Sequence, residues 1–141
     1  MANIMVKMAE IVAISRWQPA AVLRVGGEDA FTFLQGQFTN DLRELHNKDA
    51  VYGLWLNHKG RVIADSFVRQ HREAEFLIVS YFCPAELIRQ RLEAFIIADD
   101  VTIEDVTTEW RGVTLFGAAF TEIQTGWEGG AVSFRGRRAS I

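Results

Sequence analysis

The sequence has little cysteine and no histidine cluster. Cys83 is the only cysteine among 141 residues, so neither an intrachain disulfide nor a thiolate metal cluster can form within one chain. A lone cysteine between Phe82 and Pro84 is typical of a small buried apolar residue rather than of a nucleophile. The three histidines are scattered, without the spacing that converges on a zinc ion. We therefore expect no metal site.

The sequence also lacks a strong excess of either charge and any long apolar run. Its 15 basic and 18 acidic residues leave a formal net charge of -3, whereas nucleic-acid binding favours a basic excess. No apolar stretch approaches the roughly 20 residues of a membrane-spanning helix, and the start of the chain lacks the apolar core of a secretory signal. We expect a cytoplasmic protein without a membrane or nucleic-acid partner.

The apolar patterns that are present predict short strands interrupted by two helical regions. Strands are expected at 21–25, 50–57, 61–70, 76–82, 101–106, 112–116 and 131–134. Helices are expected over residues 28–38 and from Pro84 onwards, where Ile88, Leu92, Phe95 and Ile96 form the core stripe. A further helical turn is expected over 39–45, with Thr39 or Asn40 as its N-cap. This order predicts an α+β fold, in which helices pack on one face of a mainly antiparallel sheet.

Asp65 is the sharpest candidate for chemistry. It lies in a predicted strand between Ile63 and Phe67, where a carboxylate must either face water at an edge or bond a partner. One interpretation is an acceptor for a ligand that carries N–H donors. The other is a structural acid bonded to backbone N–H groups or to Arg61.

The other polar candidates have structural interpretations as well. Asn57 fits a hairpin turn that Gly60 completes, and Asn40 fits a helix cap. Arginines within residues 135–138 could hold a phosphate or carboxylate, and four tryptophans could stack on a heteroaromatic ring. No G-x-S-x-G motif and no nucleophile beside a base occurs. By themselves, these residues do not compose a self-sufficient catalytic site.

Three segments together resemble a known family. They read F-L-Q-G-Q-F-T-N-D-L at 33–42, L-N-H-K-G-R-V-I-A-D at 56–65 and D-V-T-I-E-D-V-T at 100–107. The chain is thus similar to the N-terminal folate-binding domain shared by the glycine-cleavage T-protein (aminomethyltransferase) and the YgfZ-like iron-sulfur cluster assembly proteins. The resemblance implies an N-terminal extension over 1–19, a folate-binding domain over 20–141, and tetrahydrofolate or a derivative as ligand.

The resemblance also implies site residues and a branch of the family. The implied folate-binding residues are Asp65, Asn57, Asn40 and Tyr81. The hairpin is more similar to the YgfZ branch, because Gly60 and Arg61 stand where the T-protein has two glycines. Ala64 and Asp65 stand where the T-protein has two aspartates, and the YgfZ signature K-G-C-Y-x-G-Q-E is absent.

Three functions follow as hypotheses. The first is a tetrahydrofolate-binding module of YgfZ type without catalysis of its own, linked to iron-sulfur protein assembly or repair or to one-carbon metabolism. The second is an aminomethyltransferase domain, and the third is a structural or interaction domain that has lost its ligand. Family members are longer, so we expect a fragment or a reduced member. We also expect a homodimer that buries the hairpin of residues 52–68 or the C-terminal strands, with iron-sulfur client proteins as further candidate partners.

Overall fold

The computed structural model describes residues 11–117. Five of the seven strands in this range form one antiparallel sheet. The strands are β1 (Ile11–Trp17), β2 (Ala21–Gly26), β3 (Val51–Leu56), β4 (Val62–Arg72), β5 (Glu75–Ser80), β6 (Thr102–Asp105) and β7 (Gly112–Gly117). The helices are α1 (Ala30–Gln37) and α2 (Ala85–Glu93), and two short 3-10 helices span Leu42–His46 and Thr107–Glu109.

The described strands form two separate sheets. The larger has the order β3-β4-β5-β2-β6, and every neighbouring pair in it is antiparallel. It lies in a compact unit of residues 18–110, whereas β1 and β7 pair antiparallel in another unit. Within that second unit the Trp17 indole N–H donates to Thr114 Oγ1 at 3.1 Å. Strand β1 falls in the segment predicted to be an extension, so the sequence patterns missed it.

The core lies between one face of the larger sheet and the helices. Its sheet side includes Leu23, Val68 and Ile78, which are aligned across the three central strands. Its helix side is the apolar stripe of each helix, namely Ala30, Phe33 and Leu34 of α1 and Ala85, Ile88 and Leu92 of α2. The predicted α+β fold with helices on one face is therefore confirmed.

The central strands β2 and β5 are also buried on the opposite face. Val22, Leu77 and Val79 point away from the helices and yet are buried. This two-sided burial accounts for the continuous apolar run of β5, which the sequence shows without polar alternation. Strand β4 instead alternates buried and half-buried residues from Ala64 to Arg69, so its second face is more open.

Two local predictions need correction. The turn after α1 is a 3-10 helix capped by Asp41 rather than by Thr39 or Asn40, since the Asp41 carboxylate accepts from Arg43 N. Helix α2 begins after Pro84 as predicted, but it ends at Glu93. The predicted strand over 131–134 and the arginines of 135–138 lie outside the described residues. The predicted domain of residues 20–141 stays a prediction, because it extends beyond them too.

The two glutamines of the F-L-Q-G-Q segment have structural partners. Gln35 Oε1 accepts from Leu42 N at 2.8 Å and so fixes the chain after α1. Gln37 Oε1 accepts from Arg91 Nη1 at 2.9 Å, while Arg91 Nε donates to the Leu56 carbonyl. One guanidinium therefore joins α2, the end of α1 and the end of β3, and burial lowers the pKa of Arg91. This part of the motif specifies packing rather than ligand binding.

Candidate binding site

Asp65 lies on the β4 face opposite the helices and accepts hydrogen bonds from two side chains. The Tyr52 hydroxyl donates to Oδ2 at 2.8 Å, and the Cys83 thiol donates to Oδ1 at 3.3 Å. Asp65 is half-buried, between the alternating core residues of β4. Its partners thus differ from the backbone N–H groups or Arg61 that a structural interpretation anticipated. Both partners are neutral donors, so no cation neutralises this carboxylate through these contacts.

Aromatic rings border the carboxylate on the same side of the sheet. The Tyr52 ring lies 5.1 Å from Phe67, and Phe67 meets Tyr81 edge-on at 5.7 Å between centroids. Tyr81 in turn lies 6.2 Å from Phe82. Tyr52 and Tyr81 are 47% and 39% exposed, so both rings present surface to solvent beside a carboxylate. We call Tyr52, Asp65, Phe67, Tyr81 and Phe82 the aromatic-carboxylate cluster.

Electrostatics keep both phenols of this cluster protonated. The hydrogen bond to Asp65 is the main cause that raises the pKa of Tyr52, and burial adds to it. Burial also raises the pKa of Tyr81. A protonated phenol can donate, so Tyr52 keeps its bond to Asp65 at and well above neutral pH.

The structure brings Asp65 and Tyr81 into one cluster and places Asn57 elsewhere. Asn57 Oδ1 accepts from Lys59 N at 2.9 Å and from Arg61 N at 3.0 Å, within the hairpin between β3 and β4. Gly60 in the same turn has φ 74°, a conformation that glycine adopts without strain. Asn57 therefore fixes the turn that sets the register of β4.

Asn40 reaches the cluster indirectly, through edge strand β3. Its Nδ2 donates to the Tyr52 carbonyl at 2.9 Å, and the neighbouring Thr39 Oγ1 accepts from Leu54 N at 2.8 Å. Thr39 N also donates to the Leu54 carbonyl at 3.2 Å. The T-N-D segment thereby satisfies the outer edge of β3, where an unpaired strand would expose N–H and C=O groups. Asn40 fixes the backbone of the residue whose side chain bonds Asp65.

Sequence reasoning missed Tyr52 and Cys83 as partners of Asp65. Tyr52 could have been found, because the hairpin register places it opposite Phe67, two residues from Asp65 and on the same face of the sheet. Cys83 carries no such signal, since its approach depends on the turn after β5. There Ser80 Oγ accepts from Cys83 N at 3.0 Å and orients the thiol.

Over residues 11–117 no group of three or more histidine, cysteine or acidic side chains could hold a metal ion. In the same range no helix is long and apolar enough to cross a membrane.

Comparison with known proteins identifies the family. The model of the GCVT N-terminal domain matches residues 6–129. The fold resembles the glycine cleavage system aminomethyltransferase T from Bartonella henselae, with a TM-score of 0.60 and 16% identity over 74% of this chain and 29% of that one. The five-stranded antiparallel sheet covered by helices is thus the fold of a T-protein-type domain.

The chain belongs to the GCVT N-terminal domain family, which confirms the resemblance inferred from its motifs. An uncharacterized protein of Aquifex aeolicus (strain VF5) is 30% identical over 67% of this chain and 62% of its own length. An aminomethyltransferase of Caldanaerobacter subterraneus subsp. tengcongensis is 42% identical over 39% of this chain and 15% of its own length. Another, from Thermoanaerobacter sp. (strain X514), is 28% identical over 72% and 27%. The chain spans less than two thirds of each of these relatives.

Proposed function

We propose that this chain is a tetrahydrofolate-binding module of YgfZ type, without catalysis of its own, that binds the ligand at the aromatic-carboxylate cluster. The observation that carries the proposal is the Asp65 carboxylate, which accepts hydrogen bonds from Tyr52 and Cys83 and has aromatic rings beside it. An ionised carboxylate has about four acceptor positions, so each oxygen can accept a further N–H after Tyr52 and Cys83 have bonded it.

The residues of the cluster fit a reduced pteridine. Such a ring carries N–H donors at its edge and has flat faces, which match a carboxylate acceptor and exposed tyrosine rings. In this proposal Asp65 accepts from the pterin and Tyr81 borders its ring. Asn40 and Asn57 shape the site through the β3 edge and the hairpin turn, respectively. Bound tetrahydrofolate would supply nitrogens that carry a one-carbon unit.

The position of Ala64 supports binding rather than catalysis. Ala64 stands where the T-protein pattern has the first of two aspartates, and its side chain is only 2% exposed on the helix-covered face. Adjacent strand residues point to opposite faces, so of these two positions Asp65 is the one that reaches the cluster. A single acid suits an acceptor of hydrogen bonds and leaves no second carboxylate of this pair for proton transfer.

The proposed cellular role rests on the similarity of the hairpin sequence to the YgfZ branch of the family. We propose a cytoplasmic protein that serves iron-sulfur protein assembly or repair or one-carbon metabolism, with iron-sulfur proteins as clients. We also propose a homodimer that covers the hairpin of residues 52–68 or the C-terminal strands. Light scattering would give twice the chain mass, and a monomer at high concentration would contradict the dimer.

Titration calorimetry with folinic acid tests the binding proposal. Wild type should bind, and Asp65→Asn should bind about 100-fold more weakly, because the variant loses an ionised acceptor and gains a competing amide donor. Asp99→Asn is the matched control, since it removes the same charge at an exposed position between α2 and β6. Absence of heat and of a thermal shift with wild type, for the monomer and for any dimer, would contradict the proposal and favour a domain that has lost its ligand.

The second candidate is an aminomethyltransferase domain, which the names of two relatives favour. Its test is turnover of an aminomethylated protein substrate with tetrahydrofolate, comparing wild type with Asp65→Asn. Turnover that depends on Asp65 would establish catalysis and overturn the non-catalytic proposal. Equal turnover in the two proteins would establish catalysis without Asp65.

A further inference from the structure

We propose that Tyr52 is a positioning residue, whose hydroxyl holds the Asp65 carboxylate in the one orientation that receives the ligand's N–H donors. This inference rests on the proposed function and concerns the same site. The family resemblance did not include Tyr52 among the implied folate-binding residues. In this proposal Tyr52 acts through Asp65 rather than as the main ligand contact.

The orientation of the Asp65 carboxylate is set by its hydrogen bonds. The torsion that rotates an aspartate carboxylate is broad and roughly two-fold, so it is weakly fixed by intrinsic preference. In this structure the Tyr52 hydroxyl bonds Oδ2 and the Cys83 thiol bonds Oδ1, which engages the two oxygens from separate elements. A hydroxyl at 2.8 Å is the stronger donor of the two, because a thiol is a weak donor. Tyr52 therefore dominates the orientation.

Tyr52 is itself held in place by its ring packing and by a backbone hydrogen bond. Its ring packs 5.1 Å from Phe67, and its backbone carbonyl accepts from Asn40 Nδ2 at 2.9 Å. Next along β3, the Leu54 amide donates to Thr39 Oγ1. The T-N-D segment and the hairpin acid are thus joined by a continuous path from Asn40 through Tyr52 to Asp65. This path gives the two motifs a shared role that neither shows in sequence.

Three proteins test the inference by calorimetry with folinic acid. Tyr52→Phe keeps the ring and its packing but removes the hydroxyl, and we expect about tenfold weaker binding. Added to Asp65→Asn, Tyr52→Phe should cause no further loss, because its effect passes through the carboxylate. Unchanged binding by Tyr52→Phe would overturn the inference. Full additivity in the double variant would also overturn it, since Tyr52 would then contact the ligand independently.

A matched pair tests the Asn40 step. Asn40→Asp removes the amide donor to the Tyr52 carbonyl, whereas Asn47→Asp makes the same charge change at an exposed position beyond the 3-10 helix that follows. We expect several-fold weaker binding for Asn40→Asp and wild-type binding for Asn47→Asp. Equal affinities in the two variants would exclude Asn40 from the path.

The single thiol gives a readout that needs no ligand. Because Cys83 is the only cysteine, the rate of reaction with an aromatic disulfide reagent reports the environment of this one thiol, which includes its bond to Asp65. Tyr52→Phe should react more slowly than wild type, since a carboxylate relieved of one donor holds the thiol hydrogen more firmly. Equal rates would contradict the inference. A changed rate in a protein that binds no folinic acid would instead contradict the proposed function while retaining the Tyr52–Asp65 coupling.

Discussion

The two faces of the five-stranded sheet are built from the same strands but meet different demands. The helix-covered face is apolar almost throughout, and one of its buried polar residues, Ser66, accepts from the Trp55 indole N–H at 2.8 Å. The opposite face carries Asp65 among aromatic rings and, further along, Arg24 bonded to Glu104 at 2.9 Å. The helix-covered face is therefore core along its length, whereas the opposite face is buried at β2 and β5 and carries the exposed tyrosines beside Asp65.

The comparison predicts that truncation on the helix-covered face has the largest effect on stability. Ile88→Ala should lower the free energy of unfolding by about 2–5 kcal/mol, because Ile88 is completely buried and its loss leaves a cavity. Ile97→Ala is the matched control, with a side chain 92% exposed and an expected change within about 0.5 kcal/mol. Urea unfolding measures both, and similar losses would show that α2 does not cover the core.

A smaller effect is expected where the T-N-D segment meets β3. Gly53→Ala would place a Cβ 2.6 Å from the Phe38 ring, so we expect overpacking that costs about 1–3 kcal/mol. Gly36→Ala, within helix α1 and with open space around the added Cβ, should instead stabilise by about 0.5–1 kcal/mol. Thermal unfolding of the two variants distinguishes them. Equal midpoints would mean that Phe38 does not cover the β3 edge.

A buried polar pair gives the next test. Ser66→Ala removes the acceptor of the Trp55 indole N–H while both residues are buried, and we expect a loss of about 1–2 kcal/mol. Folinic acid should bind the variant with the same affinity as wild type, because Ser66 lies on the sheet face opposite the aromatic-carboxylate cluster. A stability unchanged by this substitution would show that another acceptor replaces Ser66.

The smallest effect is the pH dependence contributed by Asp41. The side-chain and backbone hydrogen bonds from Arg43 lower the pKa of Asp41 from 3.8 to about 2. A pKa depressed in the folded state means that the stabilisation is present above about pH 4 and is lost as the pH falls through 2. The melting temperatures of wild type and Asp41→Asn should therefore differ slightly at pH 5 and converge near pH 2. A constant difference would contradict the prediction.

Local elements were predictable from the sequence wherever a single local signal, such as a turn glycine or a helix-starting proline, marked them. The hairpin turn at Asn57 and Gly60 and the start of α2 after Pro84 follow from local backbone chemistry, and the structure has both. The predicted N-cap, Thr39 or Asn40, was wrong and the cap is Asp41. All three residue types are good caps, so the sequence alone does not choose among them. Thr39 and Asn40 are instead used by the edge of β3, a tertiary demand that no local pattern reveals.

By itself the sequence determined the α+β order and the family, and it made Asp65 the leading candidate site residue, since periodicity and motifs are local properties of the chain. Only the tertiary structure decided what surrounds that acid. Tyr52 approaches it across the hairpin, and Cys83 approaches it from the turn after β5. These contacts depend on strand register and on how the turns close, which residues far apart in the chain fix together. The same register sends Ala64 into the core and Asp65 to the opposite face.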